Sequence, residues 1–268
     1  MNIQIRKEYD RLILQSVSNR NIIPGTVYYD ALYFEELKNA LARHGVLEAF
    51  QGLEFRSYGE ERIKICSVAS SSRLGFLYGI DNGICNFEIT DISNSICKPH
   101  FDSSEGRIFF EYKCHEFTEA TSEHNCISDS YCELLKRHLK VELNSSNNLV
   151  QSFHIPLGNQ ESLCFDFKQL ICHLIGLFSI ATKENKVTLQ YLMFTPAIDD
   201  EGNLKNGSQK LKSWYTNLQN DIKKIFSHLN EMDVEMCNRE HGKLKDFVSL
   251  TIAYIEASSV PDIVIEKI

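Results

Sequence analysis

Several features that would place this 268-residue chain in a familiar class are missing from its sequence. No apolar run reaches the roughly 18 residues of a membrane-spanning helix, and the first residues lack an apolar signal segment. We therefore expect a cytoplasmic protein with no membrane partner. The sequence also has no nucleophile elbow and no glycine-rich nucleotide loop, so neither serine-hydrolase chemistry of that type nor loop-bound nucleotide is indicated.

Disulfide chemistry has little support. The nine cysteines are odd in number, and none of them forms a Cys-x-x-Cys pair. We expect reduced, mostly buried thiols. Thiol and imidazole groups do crowd one polar segment, which leaves a zinc-stabilised structural protein as an alternative, although the short ligand spacings of structural zinc sites are absent. The residues concerned are Cys114, His115, His124, Cys126, Cys132 and His138.

The chain also lacks an excess of positive charge. Its net charge is −8, with 43% hydrophobic and 24% charged residues. This balance is ordinary for a globular protein and argues against non-specific coating of nucleic acid. A local basic groove remains compatible with it, because the distribution of charge matters more than the sum.

What is present is an alternation of helical and strand patterns. Apolar residues at helical spacing predict helices over residues 28–49, 164–180 and 211–229. Three serines that can cap a helix predict a short one over 69–78, and a further helix is expected over 130–139. Strand formers predict strands over 53–68, 84–90, 186–194 and 247–256, and a hairpin over 101–113. This order predicts an α/β (α+β) fold, with a central mixed sheet flanked by helices. We expect one domain over 1–268, with a core at about 70–196 and elaborations at 1–69 and 197–268.

The predicted hairpin carries Asp102, Glu111 and Lys113. A two-residue turn of Gly106 and Arg107 suits the type II′ geometry, which favours glycine at its first position. Such a turn places Asp102 directly opposite Glu111, with β-carbons about 4.5–5.5 Å apart. A turn of Glu105 and Gly106 would instead place Asp102 opposite Phe109 and diagonal to Glu111, on the same face. Because strand side chains alternate, Lys113 shares the face of Glu111. Charged groups on an apolar strand are costly to bury unpaired, which points to a functional role.

Two carboxylates and a lysine at one point suit metal-assisted phosphodiester hydrolysis. Mg²⁺ prefers oxygen ligands and keeps several waters, so Asp102, Glu111 and the backbone carbonyl of Tyr112 are the candidate ligands, with Mn²⁺ as a substitute. Lys113 is the candidate for activating the attacking water and stabilising charge on the phosphate. The alternative without a catalytic role is an exposed hairpin with a Glu–Lys ion pair on its surface.

These residues resemble the PD-(D/E)xK nuclease superfamily, and in particular its restriction-endonuclease-like bacterial members. Glu111-Tyr112-Lys113 matches the Glu-x-Lys element, and Asp102 matches the preceding acid, although its proline (Pro99) stands three residues before it. The resemblance implies a four-stranded mixed sheet, Mg²⁺-dependent cleavage of double-stranded DNA, and often a homodimer. It assigns Asp102 and Glu111 as metal ligands and Lys113 as the catalytic lysine.

Four further residues are candidates for supporting roles. Gln169 and His173 lie four apart on one face of a predicted helix, away from its apolar stripe, and resemble a Gln-x-x-x-Tyr pair of the superfamily with His in place of Tyr. Glu88 is a rival for the first acid, and Glu116 is either part of the same cleft or the solvated end of the strand. A non-catalytic interaction module on the same fold is the main alternative to a nuclease.

Overall fold

The computed structural model describes residues 3–17, 21–49, 65–84, 86–89, 92, 97, 99–118, 127–144, 148–157 and 163–262. Within these ranges the chain forms a five-stranded sheet and a small two-stranded sheet. The strands are β1 (Asn86–Ile89), β2 (Phe101–Glu105), β3 (Ile108–Lys113), β4 (Val187–Thr195), β5 (Asp233–Glu235), β6 (His241–Lys243) and β7 (Val248–Glu256).

The helices precede, separate and follow these strands. The α-helices are α1 (Ile3–Ser16), α2 (Ala31–Arg43), α3 (Ser71–Asp81), α4 (Cys132–Leu134), α5 (Leu149–Ser152), α6 (Phe167–Leu177) and α7 (Gln209–Asn230). A π-helical turn (Leu135–Leu139) continues α4, and 3₁₀ turns occur at Glu116–Thr118, Asp129–Tyr131, Leu244–Asp246 and Ala257–Ser259.

The large sheet is mixed, as the sequence predicts. Its strand order is β1-β2-β3-β4-β7. The pairs β1–β2 and β2–β3 are antiparallel, whereas β3–β4 and β4–β7 are parallel. The antiparallel half is therefore a hairpin with one added strand, and the parallel half is reached through the helical segments that lead to β4 and β7. The predicted fold class, a mixed sheet flanked by helices, is confirmed.

Polar caps set where the main helices begin. The side chain of Ser70 accepts the backbone N–H of Arg73 at the start of α3. Asp166 accepts that of Gln169 at the start of α6, and Ser208 accepts that of Leu211 at the start of α7. Each cap satisfies an amide that has no partner within the helix. Helix α6 is consequently shorter than the predicted 164–180 helix.

The predicted strand over 53–68 lies mostly outside the described residues. Strand β7 lies beyond the predicted 70–196 core, and it pairs with β4 over nine residues of each strand. The C-terminal third of the chain therefore contributes a strand to the main sheet.

None of the helices in the described ranges is long and apolar enough to cross a lipid bilayer.

Candidate functional site

The turn between β2 and β3 has the predicted register. Glu105 pairs with Ile108 across the turn, followed by Ser104 with Phe109 and Ser103 with Phe110. Gly106 has a φ of 58°, which glycine adopts readily at the first turn position. One further step of this register sets Asp102 opposite Glu111. The parity on which the candidate site depends is therefore present.

A row of polar side chains crosses the sheet at this level. Strand β1 pairs with β2 in a register that sets Glu88 opposite Asp102, because its neighbours Phe87 and Ile89 pair with Ser103 and Phe101. On the other side, Glu111 of β3 pairs with Tyr191 of β4. Four adjacent strands thus bring Glu88, Asp102, Glu111 and Tyr191 to one line, with Asp102 between the other two carboxylates.

Glu111 is buried, and three side chains converge on its carboxylate. Lys113 Nζ lies 2.7 Å from Glu111 Oε1 in an ion pair, and Gln169 Nε2 donates to the same oxygen at 2.7 Å. His173 Nε2 lies 3.8 Å from Glu111 Oε2. Glu111 Oε2 is buried without a hydrogen-bond partner. One oxygen of this carboxylate is fixed by hydrogen bonds, whereas the other has none from the residues that the structure describes.

The carboxylate of Asp102 is held by the strand that carries Glu111. Asp102 Oδ2 accepts the backbone N–H of Tyr112 at 2.6 Å. Burial raises the pKa of Asp102 well above its usual range, and the nearby Glu111 carboxylate raises it further, against the opposing effect of Lys113. An ionised Asp102 is therefore unfavourable here unless additional positive charge compensates it.

Lys113 is enclosed by carboxylates. Burial lowers the pKa of Lys113, but Glu111, Glu116 and Asp102 outweigh that effect and raise it above its usual range. The ammonium group is therefore charged at neutral pH. It is held between Glu111 on its own strand and Glu116 just beyond the strand end, which fixes its direction.

Glu116 belongs to this cluster and is not a solvated strand end. Its Oε2 accepts the backbone N–H of Cys114 at 2.7 Å, and its Oε1 accepts the hydroxyl of Ser71 at the start of α3. Burial raises the pKa of Glu116, but Lys113, His115 and these hydrogen bonds outweigh it, so the pKa is below its usual range. Glu116 is therefore an anion at neutral pH, and its charge stabilises the ammonium group of Lys113.

His173 is not on a polar helix face as predicted. It is 2% exposed and packs on Phe101, with 4.5 Å between the ring centroids. The side of α6 that carries His173 faces β2. The sheet therefore covers more of this helix than its apolar stripe. Its Nε2 donates to the backbone carbonyl of His100 at 2.8 Å, and burial lowers its pKa. Gln169 and His173 nevertheless both approach Glu111.

Glu88 lies beside Asp102 rather than in its place. Its carboxylate forms an ion pair with His100, with 3.0 Å between Oε2 and Nε2, and it adds to the rise in the pKa of Asp102. Glu88 has a φ of 56°, a conformation that is uncommon for a residue other than glycine. Asp102, and not Glu88, is therefore the acid next to Glu111 in the strand order.

Sequence reasoning missed three residues of this neighbourhood: His100, Ser71 and Tyr191. His100 contributes through its backbone carbonyl and through a pair with Glu88, and neither contact leaves a pattern in the sequence. Ser71 contributes through its hydroxyl, which donates to Glu116, and this contact leaves no pattern in the sequence either, since the residue that caps α3 is Ser70. The Tyr191 hydroxyl is buried without a hydrogen-bond partner, and its place next to Glu111 follows only from the pairing of β3 with β4.

The oxygen atoms of Asp102, Glu111 and the Tyr112 backbone carbonyl suit a cation that takes only a few of its ligands from the protein. Over the described ranges, no group of three or more His, Cys, Asp or Glu side chains is arranged to hold a metal ion. Mg²⁺ needs no such cage, since one or two carboxylates, waters and substrate phosphate complete its shell. The unpartnered Glu111 Oε2 and the unfavourable charge on Asp102 are the two features that a divalent cation would relieve.

The zinc alternative gains no support from the residues that can be placed. His124 and Cys126 lie outside the described residues. His115 contacts Asp10, His138 contacts the backbone carbonyl of Glu235, and burial raises the pKa of Cys114. A buried thiol of raised pKa is a poor source of the thiolate that zinc requires.

Comparison of the chain with protein-family models, with curated proteins and with solved structures found no match in any of the three.

Proposed function

We propose that this protein is a Mg²⁺-dependent DNA endonuclease of restriction type, which hydrolyses phosphodiester bonds and accepts Mn²⁺ in place of Mg²⁺. The observation that carries the proposal is the Glu111 carboxylate, opposite Asp102 in the hairpin register: one oxygen is bound by Lys113 and Gln169, and the other is buried with no hydrogen-bond partner among the described residues. The resemblance of the Asp102–Lys113 segment to PD-(D/E)xK nucleases supports DNA as the substrate, and a cytoplasmic location and a homodimer remain part of the proposal.

Asp102, Glu111 and the backbone carbonyl of Tyr112 are the groups proposed to hold the metal. When bound, Mg²⁺ supplies a Lewis acid that polarises the phosphodiester and neutralises its charge. The Tyr112 backbone links the two acids, because its N–H already binds Asp102 Oδ2. Gln169 orients Glu111 through Oε1, so that Oε2 is presented to the site.

Lys113 is proposed to stabilise the transition state. Its ammonium group donates to Glu111 and lies in the field of Glu116. A charged group fixed before the reaction stabilises developing negative charge on the phosphate without reorganisation. It is also placed to orient the attacking water. Glu116 acts through Lys113 and is a positioning residue.

Cleavage of plasmid DNA by Lys113→Met tests this role. We expect the rate in Mg²⁺ to fall by about 10²–10³-fold or more, comparable to the loss of one charge-stabilising donor, while the melting temperature shows a folded protein. The matched control is Lys223→Met, an exposed lysine of α7, which should cleave like wild type. Undiminished metal-dependent cleavage by Lys113→Met would exclude the proposed site.

Metal binding has a test that does not need activity. A ligand at 100 times its dissociation constant stabilises the folded state by about 2.7 kcal/mol, so Mg²⁺ or Mn²⁺ should raise the melting temperature of the wild type by several degrees. Asp102→Asn should abolish this rise. Glu105→Gln, an exposed acid on the same strand, should retain it. An equal rise in all three proteins would place the metal elsewhere.

The cleavage experiment also distinguishes a nuclease from the main alternative. A protein that binds DNA but cleaves no plasmid or genomic DNA in Mg²⁺ or Mn²⁺ is a non-catalytic interaction module on this fold.

A further inference from the structure

An arginine and a histidine side chain lie together beyond the end of β3. Arg6 Nη2 of helix α1 is 3.1 Å from His115 Nε2, and both residues are partly buried. They are 109 residues apart in sequence, so the fold alone brings them together. Neither residue takes part in the catalytic roles proposed above.

A buried carboxylate orients this pair. His115 Nδ1 lies 2.9 Å from Asp10 Oδ1, and Asp10 is 8% exposed. Arginine can only donate, so the Nε2 atom of His115 accepts from Arg6, and its Nδ1–H donates to Asp10. Asp10 therefore fixes both the ring orientation and the tautomer. Arg6 and Asp10 are four residues apart on α1, which places them on the same side of that helix.

The pair borders the candidate active site. His115 follows Lys113 by two residues, and Glu116 is under the electrostatic influence of both Lys113 and His115. A DNA strand with its scissile phosphate at Lys113 would carry a neighbouring phosphate toward this pair.

We propose that Arg6 contacts a phosphate next to the scissile one, with His115 and Asp10 as the residues that position it. The inference rests on the proposed function, since it takes DNA as the substrate. An arginine N–H directed at a neutral imidazole has a weak acceptor, whereas a phosphodiester oxygen gives a shorter, charge-assisted and often bidentate bond. The phosphate takes over this N–H of Arg6, while the His115 ring, held through Nδ1 by Asp10, keeps the guanidinium directed at the site.

The test measures binding separately from cleavage. A short fluorescein-labelled DNA duplex is titrated with protein in EDTA, and the anisotropy gives the dissociation constant at several salt concentrations. Arg6→Gln should bind several-fold more weakly and should reduce the slope of log affinity against log salt by about 0.9, the value for one lost phosphate contact. His115→Gln, which loses only the positioning of Arg6, should bind more weakly with little change in slope. The matched control is Arg11→Gln, an exposed arginine five residues further along α1, which should bind like wild type.

The binding and cleavage results test the phosphate site and the nuclease proposal separately. Unchanged affinity and slope in folded Arg6→Gln and His115→Gln would overturn the phosphate site, and so would a wild type that does not bind the duplex. Cleavage by the wild type in Mg²⁺, together with unchanged binding by these variants, would overturn the phosphate site but leave the nuclease proposal intact. Loss of binding in the variants, with no cleavage by the wild type, would support the site and overturn the nuclease.

Discussion

At the scale of single residues, the candidate site is a chain of alternating charges. Glu111 pairs with Lys113, Lys113 is stabilised by Glu116, and Glu116 by His115. Asp102 stands at one end of this chain, beside Glu111, with no cation of its own apart from the more distant effect of Lys113. The arrangement keeps Lys113 charged and fixed, and it leaves negative charge where the proposed metal would bind.

Glu116 allows this electrostatic chain to be tested by pH. Its pKa in the folded protein is lowered, so its contribution to stability is present above its unfolded pKa of about 4.3 and is lost as the pH falls through the folded pKa. We expect the free energy of unfolding of wild type to fall more steeply than that of Glu116→Gln below about pH 5. Urea unfolding across the acid range measures both.

The glutamine variant is its own steric control, because its side-chain oxygen can still accept the Cys114 N–H. Parallel stability curves for the two proteins across the acid range would show that Glu116 is not stabilised as an anion.

The principal members of the site could be predicted because strand chemistry is local. The parity of Asp102 and Glu111 follows from a two-residue turn with glycine first, and the position of Lys113 follows from alternation. The Arg6–His115–Asp10 contacts could not be predicted, because they depend on where α1 packs, and no local pattern specifies that. His173 was assigned to the wrong environment, since helical spacing cannot show that a second surface covers α6.

At the scale of elements, the hairpin is positioned by helix α3 through a glycine. A β-carbon at Gly75 would lie 2.2 Å from Cδ2 of Tyr112, so the helix contacts the strand at a distance that only glycine allows. Tyr112 is the residue whose backbone N–H binds Asp102, and its hydroxyl is hydrogen-bonded to Ser103. The approach of α3 therefore supports the backbone that carries the proposed metal ligands.

Gly75→Ala tests this close packing. The added methyl group meets the base of the Tyr112 ring, which cannot move without the strand, so we expect a loss of about 2–3 kcal/mol in the free energy of unfolding. In the double variant with Tyr112→Val the space is restored. Its free energy should therefore be at least about 1 kcal/mol above the sum expected from the single variants. Additive losses in urea unfolding would contradict the contact.

Most of the central elements could be predicted, and the exceptions have physical reasons. Helices α6 and α7 carry apolar residues at helical spacing, α3 begins at a run of serines that can cap a helix, and the strands β1, β4 and β7 are rich in strand formers. Helix α1 was missed, although Ile5, Tyr9, Leu12 and Ile13 are buried along one side of it and their spacing is a helical signal. The β5–β6 hairpin has only three residues in each strand, which is too short for alternation to be recognised.

At the scale of the whole molecule, the sheet and the site depend on both ends of the chain. Strand β7 pairs with the edge of β4 that faces away from β3. On its other edge β4 pairs with β3, which carries Glu111 and Lys113. Helix α1 supplies Arg6 and Asp10, and the hydroxyl of its Tyr9 donates to the carbonyl of Phe194 at 2.8 Å, near the end of β4. A segment of residues 70–196 contains the proposed catalytic residues but not the elements that enclose them.

Truncation provides the corresponding prediction. A fragment of residues 1–196 lacks β7 and α7, and α7 alone buries Leu211, Tyr215, Leu218, Ile222, Ile225, Phe226 and Leu229. Burying these side chains contributes roughly 10–20 kcal/mol of transfer free energy, which exceeds the net stability of about 5–15 kcal/mol typical of a folded domain. We therefore expect the fragment to show no cooperative urea transition and poor dispersion of its amide NMR signals. A fragment of residues 1–262, which keeps every element described above, should unfold cooperatively. A folded 1–196 fragment would mean that β7 and α7 are attachments, and that β1 to β4 form a stable unit without them.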